Sequence, residues 1–573
     1  MQPDDTHGWL EGHVKERNYG ADWGDFVSFA KHIQDKPVEK NVDLLLIDTS
    51  DLHNRNGLSD VTTPNGEVTN PIFENIDYDL LTPGNHKLIA ADVAYNTFTK
   101  FSKVEPDERE WVSIGRRSRY FTTKQGLRIM AFGVILNRTN NNKDITRIQP
   151  AAEMIEEDWF KDTVNRQDID LFVLIGHNPV KPRIPKSESS FPLLMDTLRT
   201  TRPEIPVQGF GGHTHRRDFH IYDNISIKSQ PVQEGVASPE VKNALVNKST
   251  IGESADESCS KTKDFDIQLT RRYLDWNRLA FAYHATGSQN ILNTPEGLNM
   301  TKGITDSRNS LNLTFVYGCA PQTYCILCKP FGDEGNIYTL VQTAAAATVV
   351  DLDRSANSRM IIVNQGAIRY DLVQGPFTVD DAYIVCPYTT TFRFIADVPY
   401  SLASKVLDYI NKPKTTTKRS ITVDTISSQM LGYDECNNPS PHNGTKLLKP
   451  KSLFRRVLDV DTPTPGYTTC DDLGDDGDDT PHSEIPEYTQ PAHVQATAAF
   501  PQDGEPDKVD LIFSDFLGSR IATALNSANP PKNYTTDDTR LYYLPEDFTT
   551  NTFLPTYASM AWQDNINDCP IGG

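Results

Sequence analysis

Four apolar runs in the first part of the chain each end in small and polar residues. They are Asp43-Leu-Leu-Leu-Ile-Asp-Thr-Ser-Asp51, Tyr78-Asp-Leu-Leu-Thr-Pro-Gly-Asn-His86, Asp170-Leu-Phe-Val-Leu-Ile-Gly-His177 and Pro206-Val-Gln-Gly-Phe-Gly-Gly-His-Thr-His215. Short continuous apolar runs bounded by turn residues predict buried strands. Between them, Leu88–Ser102 and Ala151–Arg166 have helical character. Strands alternating with helices predict an α/β domain.

In such folds ligands gather beyond the strand ends, so residues far apart in sequence meet in one pocket. The ends carry Asp51, Asn85, His86, His177, His213 and His215, with Asp5-Thr-His7 near the start of the chain. Carboxylate, amide oxygen and imidazole together suit Zn, Mn or Fe better than the all-oxygen shell of Ca or Mg. Gly84, Gly176 and Gly212 stand where a strand must turn sharply to aim the next side chain. His213 and His215 would reach different ions if the backbone bends between them. Taken singly, each piece has an ordinary reading: a surface turn for Asp5-Thr-His7, a left-handed turn for Gly84-Asn85-His86, a hydrogen-bonded core histidine for His177. His53, two residues after Asp51, is read either as support for a ligand or as a surface residue. His13 and His482 are expected to be exposed, and Lys181–Ser190 to be a mobile loop.

Length adds a second domain, because 573 residues exceed what one core usually supports. The polar, aperiodic stretch from Ile225 to Asp264 marks the expected boundary and gives domains 1–240 and 265–573. A formal net charge of −21 opposes binding to a nucleic-acid polymer, which needs Lys and Arg on the phosphates. A small phosphorylated substrate remains compatible, since bound cations supply positive charge locally. No apolar run approaches the ~18 residues of a membrane span, and the start, Met1-Gln2-Pro3-Asp4, has no secretory-signal pattern, so any signal is expected to have been removed.

Asn-x-Ser/Thr sequons begin at Asn137, Asn224, Asn247, Asn299, Asn312, Asn443 and Asn533, and all 8 cysteines lie at or beyond Cys259. Both features fit an oxidising compartment, secreted or vacuolar, with disulfides confined to the second half. Cys325-Ile-Leu-Cys328 is read as a structural disulfide or buried thiol rather than a zinc or redox pair.

The ordered set resembles the calcineurin-like metallophosphoesterases, whose motifs run DxH, GDxx, GNH, GH and GHxH. Here they read Asp5-Thr-His7, Ser50-Asp51, Gly84-Asn85-His86, Gly176-His177 and Gly212-His213-Thr214-His215. The resemblance implies that Asp5, His7, Asp51 and His215 hold one divalent ion and that Asp51, Asn85, His177 and His213 hold a second. It leaves His86 to contact the phosphoryl group or the leaving oxygen, while a metal-bound hydroxide attacks in line. Ser50 replaces the family's glycine, Lys87 a common Glu, and Met1-Gln-Pro-Asp the apolar strand usual before DxH.

The second half, through Leu311–Tyr324 and Ile361–Arg369, resembles the C-terminal domain of the 5′-nucleotidase family, in particular its fungal secreted or vacuolar members. The matching pocket residues are Asn364, Gly366, Arg369, Gly375 and Pro387-Tyr388, with Tyr467 and Asp478 in the places of a second aromatic and an acidic-loop Asp. The resemblance implies that Arg369 pairs with phosphate and Tyr388 stacks on a base. Asp471–Asp479 read by itself is a solvated acidic loop without EF-hand spacing. The implied architecture is α/β: a four-layer α/β/β/α phosphoesterase sandwich followed by an α+β domain. The implied activity is hydrolysis of nucleoside 5′-monophosphates or similar small phosphate esters. The alternatives are a phosphodiesterase or nucleotide-sugar pyrophosphatase, and a secreted binding protein with impaired catalysis.

Overall fold

The fold is that of a computed structural model. It describes residues 1–3, 6–16, 19–49, 51–53, 56–85, 113–136, 146–180, 189–213, 218–230, 236–242, 268–412, 468–471, 474–477, 488–542, 548–564 and 566–571.

The first unit is built on a six-stranded sheet in the order Ser118–Thr122, Arg128–Ile135, Leu171–His177, Val207–Phe210, Ser226–Gln230, Asp218–Asp223. Its three central strands, Arg128–Ile135, Leu171–His177 and Val207–Phe210, are parallel. Strands buried on both faces need apolar residues at every position, which explains the continuous runs in the sequence. Met130, Phe132, Phe172 and Leu174 point to one side, against Phe160, Val164, Leu194 and Leu198 of the helices Asp158–Val164 and Phe191–Thr201. Ile129, Ala131, Val173 and Ile175 point to the other, against Ile47 and Leu80.

Those two residues belong to the short parallel pair Ile47–Asp48 and Leu80–Leu81. Only the end of the run Asp43–Ile47 enters this ladder; upstream, the Leu46 N–H donates to Asp79 Oδ2 at 2.8 Å. Beside the pair, Gln2–Pro3 joins Val236–Lys242 and Gln268–Leu274 in an antiparallel sheet, and the Ile47 N–H donates to the Met1 carbonyl at 2.9 Å. A helical layer covers this second sheet, completing the α/β/β/α order.

That layer draws on residues beyond the expected domain boundary. Leu274, Trp276, Phe281, Leu292 and Ile304 share one core with Trp23, Phe26 and Phe29 of the helix Trp23–Lys40. The helices Trp23–Lys40 and Pro295–Ser310 touch through glycine. A Cβ on Gly24 would come within 2.3 Å of the Gly297 carbonyl, and one on Gly297 within 2.0 Å of Ser28 Oγ.

The second unit centres on a five-stranded sheet in the order His493–Ala498, Arg359–Asn364, Lys508–Ser514, Phe392–Pro399, Arg540–Leu541. Ile361, Val363 and Ile512 face the helices Ile337–Thr348 and Phe553–Ala561. Met360, Ile362, Leu511 and Phe513 face Val406–Asn411 and Gly518–Ser527. Cys319 is bonded to Cys569 and Cys325 to Cys328, so the CxxC pair is a disulfide, while Cys386 is a buried thiol whose Sγ–H donates to the Thr550 carbonyl at 2.9 Å. Thr468–Asp471 and Gly474–Gly477 form an antiparallel hairpin within the acidic run.

Candidate active site

Asp51 and His177 lie beyond two neighbouring apolar runs, and His213 follows a third. His177 Nε2 is 3.0 Å from Asp51 Oδ2, and His213 Nδ1 is 3.2 Å from His177 Nε2. His7 joins them through its backbone, its N–H donating to the Asp51 carbonyl at 2.8 Å. Gly84 passes so near Asp51 that a Cβ there would sit 1.8 Å from Oδ1, which brings Asn85 to the same edge.

Three of these residues hold unusual backbone. His7, Asp51 and His213 have φ of 45°, 55° and 80°, in the left-handed region that L side chains seldom adopt. Such conformations cost of order 1–3 kcal/mol each and persist where the surrounding structure over-determines them. Here each turn carries a polar side chain toward the strand ends.

Backbone carbonyls orient two of the imidazoles. His177 Nδ1 lies 3.1 Å from the Thr49 carbonyl, and His7 Nδ1 lies 3.1 Å from the His53 carbonyl. In a neutral ring each Nδ1–H donates there, leaving a bare lone pair on Nε2 for an electrophile. Thr49 Oγ1–H also donates to the Gly211 carbonyl at 3.1 Å, tying the first strand end to the loop that carries His213.

Among the described residues no group of three or more His, Cys, Asp or Glu is arranged to hold a metal ion by itself, and the donors meet in pairs. With Nδ1–H given to Thr49, His177 Nε2 has no proton to offer Asp51, so two acceptors face each other at 3.0 Å. Atoms about 2.1 Å from one ion are separated from each other by about 3.0–3.4 Å across a coordination edge, so each pair is spaced as two ligands of one ion would be. Asn85 Oδ1 is buried and has no hydrogen-bond partner among the described residues, as a ligand oxygen would be. Asp5, His86 and His215 lie outside the described residues.

In the second unit, Asn364 ends a buried strand and caps the turn Gln365–Ala367. With its amide oriented to satisfy both neighbours, its oxygen accepts from the N–H groups of Gly366 and Ala367 at 3.3 and 3.2 Å. A Cβ on Gly366 would come 3.1 Å from the same amide. The Arg369 N–H donates to the Val385 carbonyl at 2.9 Å, which sets this turn beside the segment leading to Tyr388. Tyr388 is 38% exposed, as a stacking platform requires. Tyr467 and Asp478 lie outside the described residues.

Two histidines differ from or sharpen the sequence expectation. His53 is fully buried, its Nε2 2.7 Å from Asn70 Oδ1, and it supports His7 through its own carbonyl. His13, expected at the surface, is 5% exposed: it stacks on Trp9 at 3.8 Å and meets Glu16 and the Tyr370 hydroxyl at 2.7 and 3.0 Å. An exposed reading failed because its partners include a residue from the second unit. The orienting carbonyls of Thr49 and His53 had no signal in sequence, since every residue carries one.

Residues 5–217 match the family described as calcineurin-like phosphoesterase, and residues 323–522 match the one described as NAD nucleotidase, C-terminal domain. A protein of Arthroderma benhamiae described as a secreted protein is 42% identical over 99% of this chain and 90% of its own length. The crystal structure of a 5′-nucleotidase from Candida albicans is 30% identical, covers 97% of both chains and superposes with a TM-score of 0.76. That of a 5′-nucleotidase precursor from Thermus thermophilus shares the fold, with a TM-score of 0.54 at 13% identity. With its phosphoesterase sandwich, its nucleotidase-type second unit and full-length likeness to a fungal relative, this chain belongs to the 5′-nucleotidase family of calcineurin-like phosphoesterases and is a phosphate-ester hydrolase.

Proposed function

We propose that the protein hydrolyses nucleoside 5′-monophosphates, or closely similar small phosphate esters, at a two-cation site. The observation that carries the reading is the meeting of Asp51, His177 and His213 from separate strand ends, with Asn85 following the Gly84 that abuts Asp51 and its Oδ1 buried. Two divalent ions of the Zn, Mn or Fe type would supply charge for the phosphoryl oxygens and acidify a water.

The chain's own part is positioning. By the order of the motifs, Asp51 would bridge two ions, one held with Asp5, His7 and His215 and the other with Asn85, His177 and His213. Thr49 and His53 fix the tautomers of His177 and His7. We assign His86, by its place in Gly84-Asn85-His86, to the charge that develops on the phosphoryl or leaving oxygen. Asn364, Gly366, Arg369 and Tyr388, with Tyr467 and Asp478, would select the nucleoside, and we place the seam between catalytic and selecting units just after Leu313.

A second reading has one specific support: the match of 323–522 to a NAD nucleotidase domain favours a dinucleotide pyrophosphate as an additional substrate. Secretion is supported by the relative described as secreted and by the disulfides. Among the described residues no helix is long and apolar enough to cross a membrane. Asn224, Asn299, Asn312 and Asn533 are exposed, as glycan acceptors must be.

The test is release of inorganic phosphate from AMP, and of AMP from a dinucleotide pyrophosphate, by protein stripped with a chelator and resupplied with Zn, Mn or Co. Metal-restored release that is absent in Asp51→Asn is the expected result. Absence of release from AMP by metal-loaded protein would remove the monophosphate reading.

A further inference from the structure

The segment that follows His7 reaches the second unit and meets it through carboxyl groups. Lys15 Nζ–H donates to Asp381 Oδ1 at 2.7 Å, and the Tyr370 hydroxyl donates to Glu16 Oε2 at 3.2 Å. Deeper in the joint, Glu11 and Asp380 are both buried, 8% and 3% exposed, and they accept from consecutive residues, Glu11 Oε1 from Asn56 Nδ2 and Asp380 Oδ1 from the Gly57 N–H at 2.9 Å.

Two ionised carboxylates buried this near each other repel and both only accept, so the pair favours holding one proton. The partners assign it. Asp380 Oδ1 accepts from the Gly57 N–H at 2.9 Å and Oδ2 from Arg308 Nη2 at 3.1 Å, donors that favour its anion. Glu11 Oε1 accepts from Asn56 Nδ2, while Oε2 is buried with no donor among the described residues. A protonated Glu11 therefore donates to the Asp380 carboxylate. Burial first, and then the Asp380 charge, hold the Glu11 carboxyl well above the ordinary carboxylate range.

We propose that Glu11 and Asp380 are positioning residues for the phosphoesterase. They share one proton across the joint, and it fixes the His7 segment against the second unit. Gly57 makes this approach possible, since a Cβ there would come 2.8 Å from Asp380 Oδ1. The charged and titrating groups around the pair are Arg308, Lys15 and Asp381, with His13, Glu16 and Asp371 across an adjoining cavity of about 210 Å³. Because the folded state raises the carboxyl, the proton's contribution is complete below the unfolded pKa, about 4.3. It is lost as pH rises through the folded value.

The kinetic arm rests on the phosphoesterase reading; the melting arm needs neither metal nor substrate. Glu11→Gln is the discriminating variant, because its amide donates to Asp380 and accepts from Asn56 at every pH. In metal-depleted protein, melting of the wild type should fall between pH 5 and pH 8 by at least about 3 °C more than that of Glu11→Gln. Parallel melting curves across that range would overturn the shared proton.

In metal-loaded enzyme acting on an aryl phosphate, Glu11→Ala should lose about tenfold or more in kcat/KM, because small displacements near a site are costly. Glu11→Gln should restore it and flatten its decline at high pH. Full kcat/KM in Glu11→Ala would refute positioning, and if that variant does not fold, the comparison of Glu11→Gln with wild type decides alone.

Discussion

At Gly84 the space for a side chain is taken by a ligand. A Cβ would overlap Asp51 Oδ1 at 1.8 Å and the Asp51 backbone N at 2.6 Å, so Gly84→Ala must push Asp51 away from His177. Displacements of this size near reacting groups cost on the order of 100-fold. Gly84→Ala should therefore lose at least about that much in kcat/KM while melting near the wild-type temperature, as steady-state kinetics and calorimetry would show. The residue scale was largely legible in sequence. Residue type and order single out His7, Asp51, Asn85, His177 and His213, and the structure brings Asp51, His177 and His213 within 3.2 Å of one another in turn. The supports of the imidazoles were not legible, because backbone carbonyls such as those of Thr49 and His53 leave no mark on residue choice.

Among the elements, the run Leu171–His177 is apolar throughout because helices cover one face and a second sheet the other. The pattern was enough to predict that strand, but not the sheet order, which joins 128–135, 171–177 and 207–210 across long connections.

At the start of the strand His493–Ala498, His493 Nδ1 and its backbone N–H both meet Asn411 Oδ1, at 3.1 and 2.8 Å. Its Nε2 is buried with no partner among the described residues. Burial, with the Arg520 charge adding, lowers this imidazole to about 4. A depressed folded pKa means that the stabilisation is complete above the unfolded value, about 6.5, and is lost as pH falls through about 4. The loss is on the order of 3 kcal/mol. Urea midpoints at pH 7 and pH 4 should show it in the wild type and show a smaller drop in His493→Gln.

For the whole molecule, the decisive contacts link segments far apart in the chain. Cys319 and Cys569 are 250 residues apart, and the Cys319 N–H also donates to the Trp562 carbonyl at 2.7 Å. Closing so long a loop restricts the unfolded chain, so replacing both cysteines by Ser should lower the unfolding free energy by about 2–4 kcal/mol. Urea denaturation of the double variant checks this.

The same distance limits what a linear reading reaches. Motif order and strand periodicity are local chemistry, and by themselves they determined the family and the α/β fold class. Tertiary structure alone decided that 274–313 packs on Trp23–Lys40, that His13 is buried against Tyr370 and that Glu11 and Asp380 are buried against the consecutive residues Asn56 and Gly57. Each of these depends on which surfaces come together, and a residue's own neighbours in sequence carry no record of that.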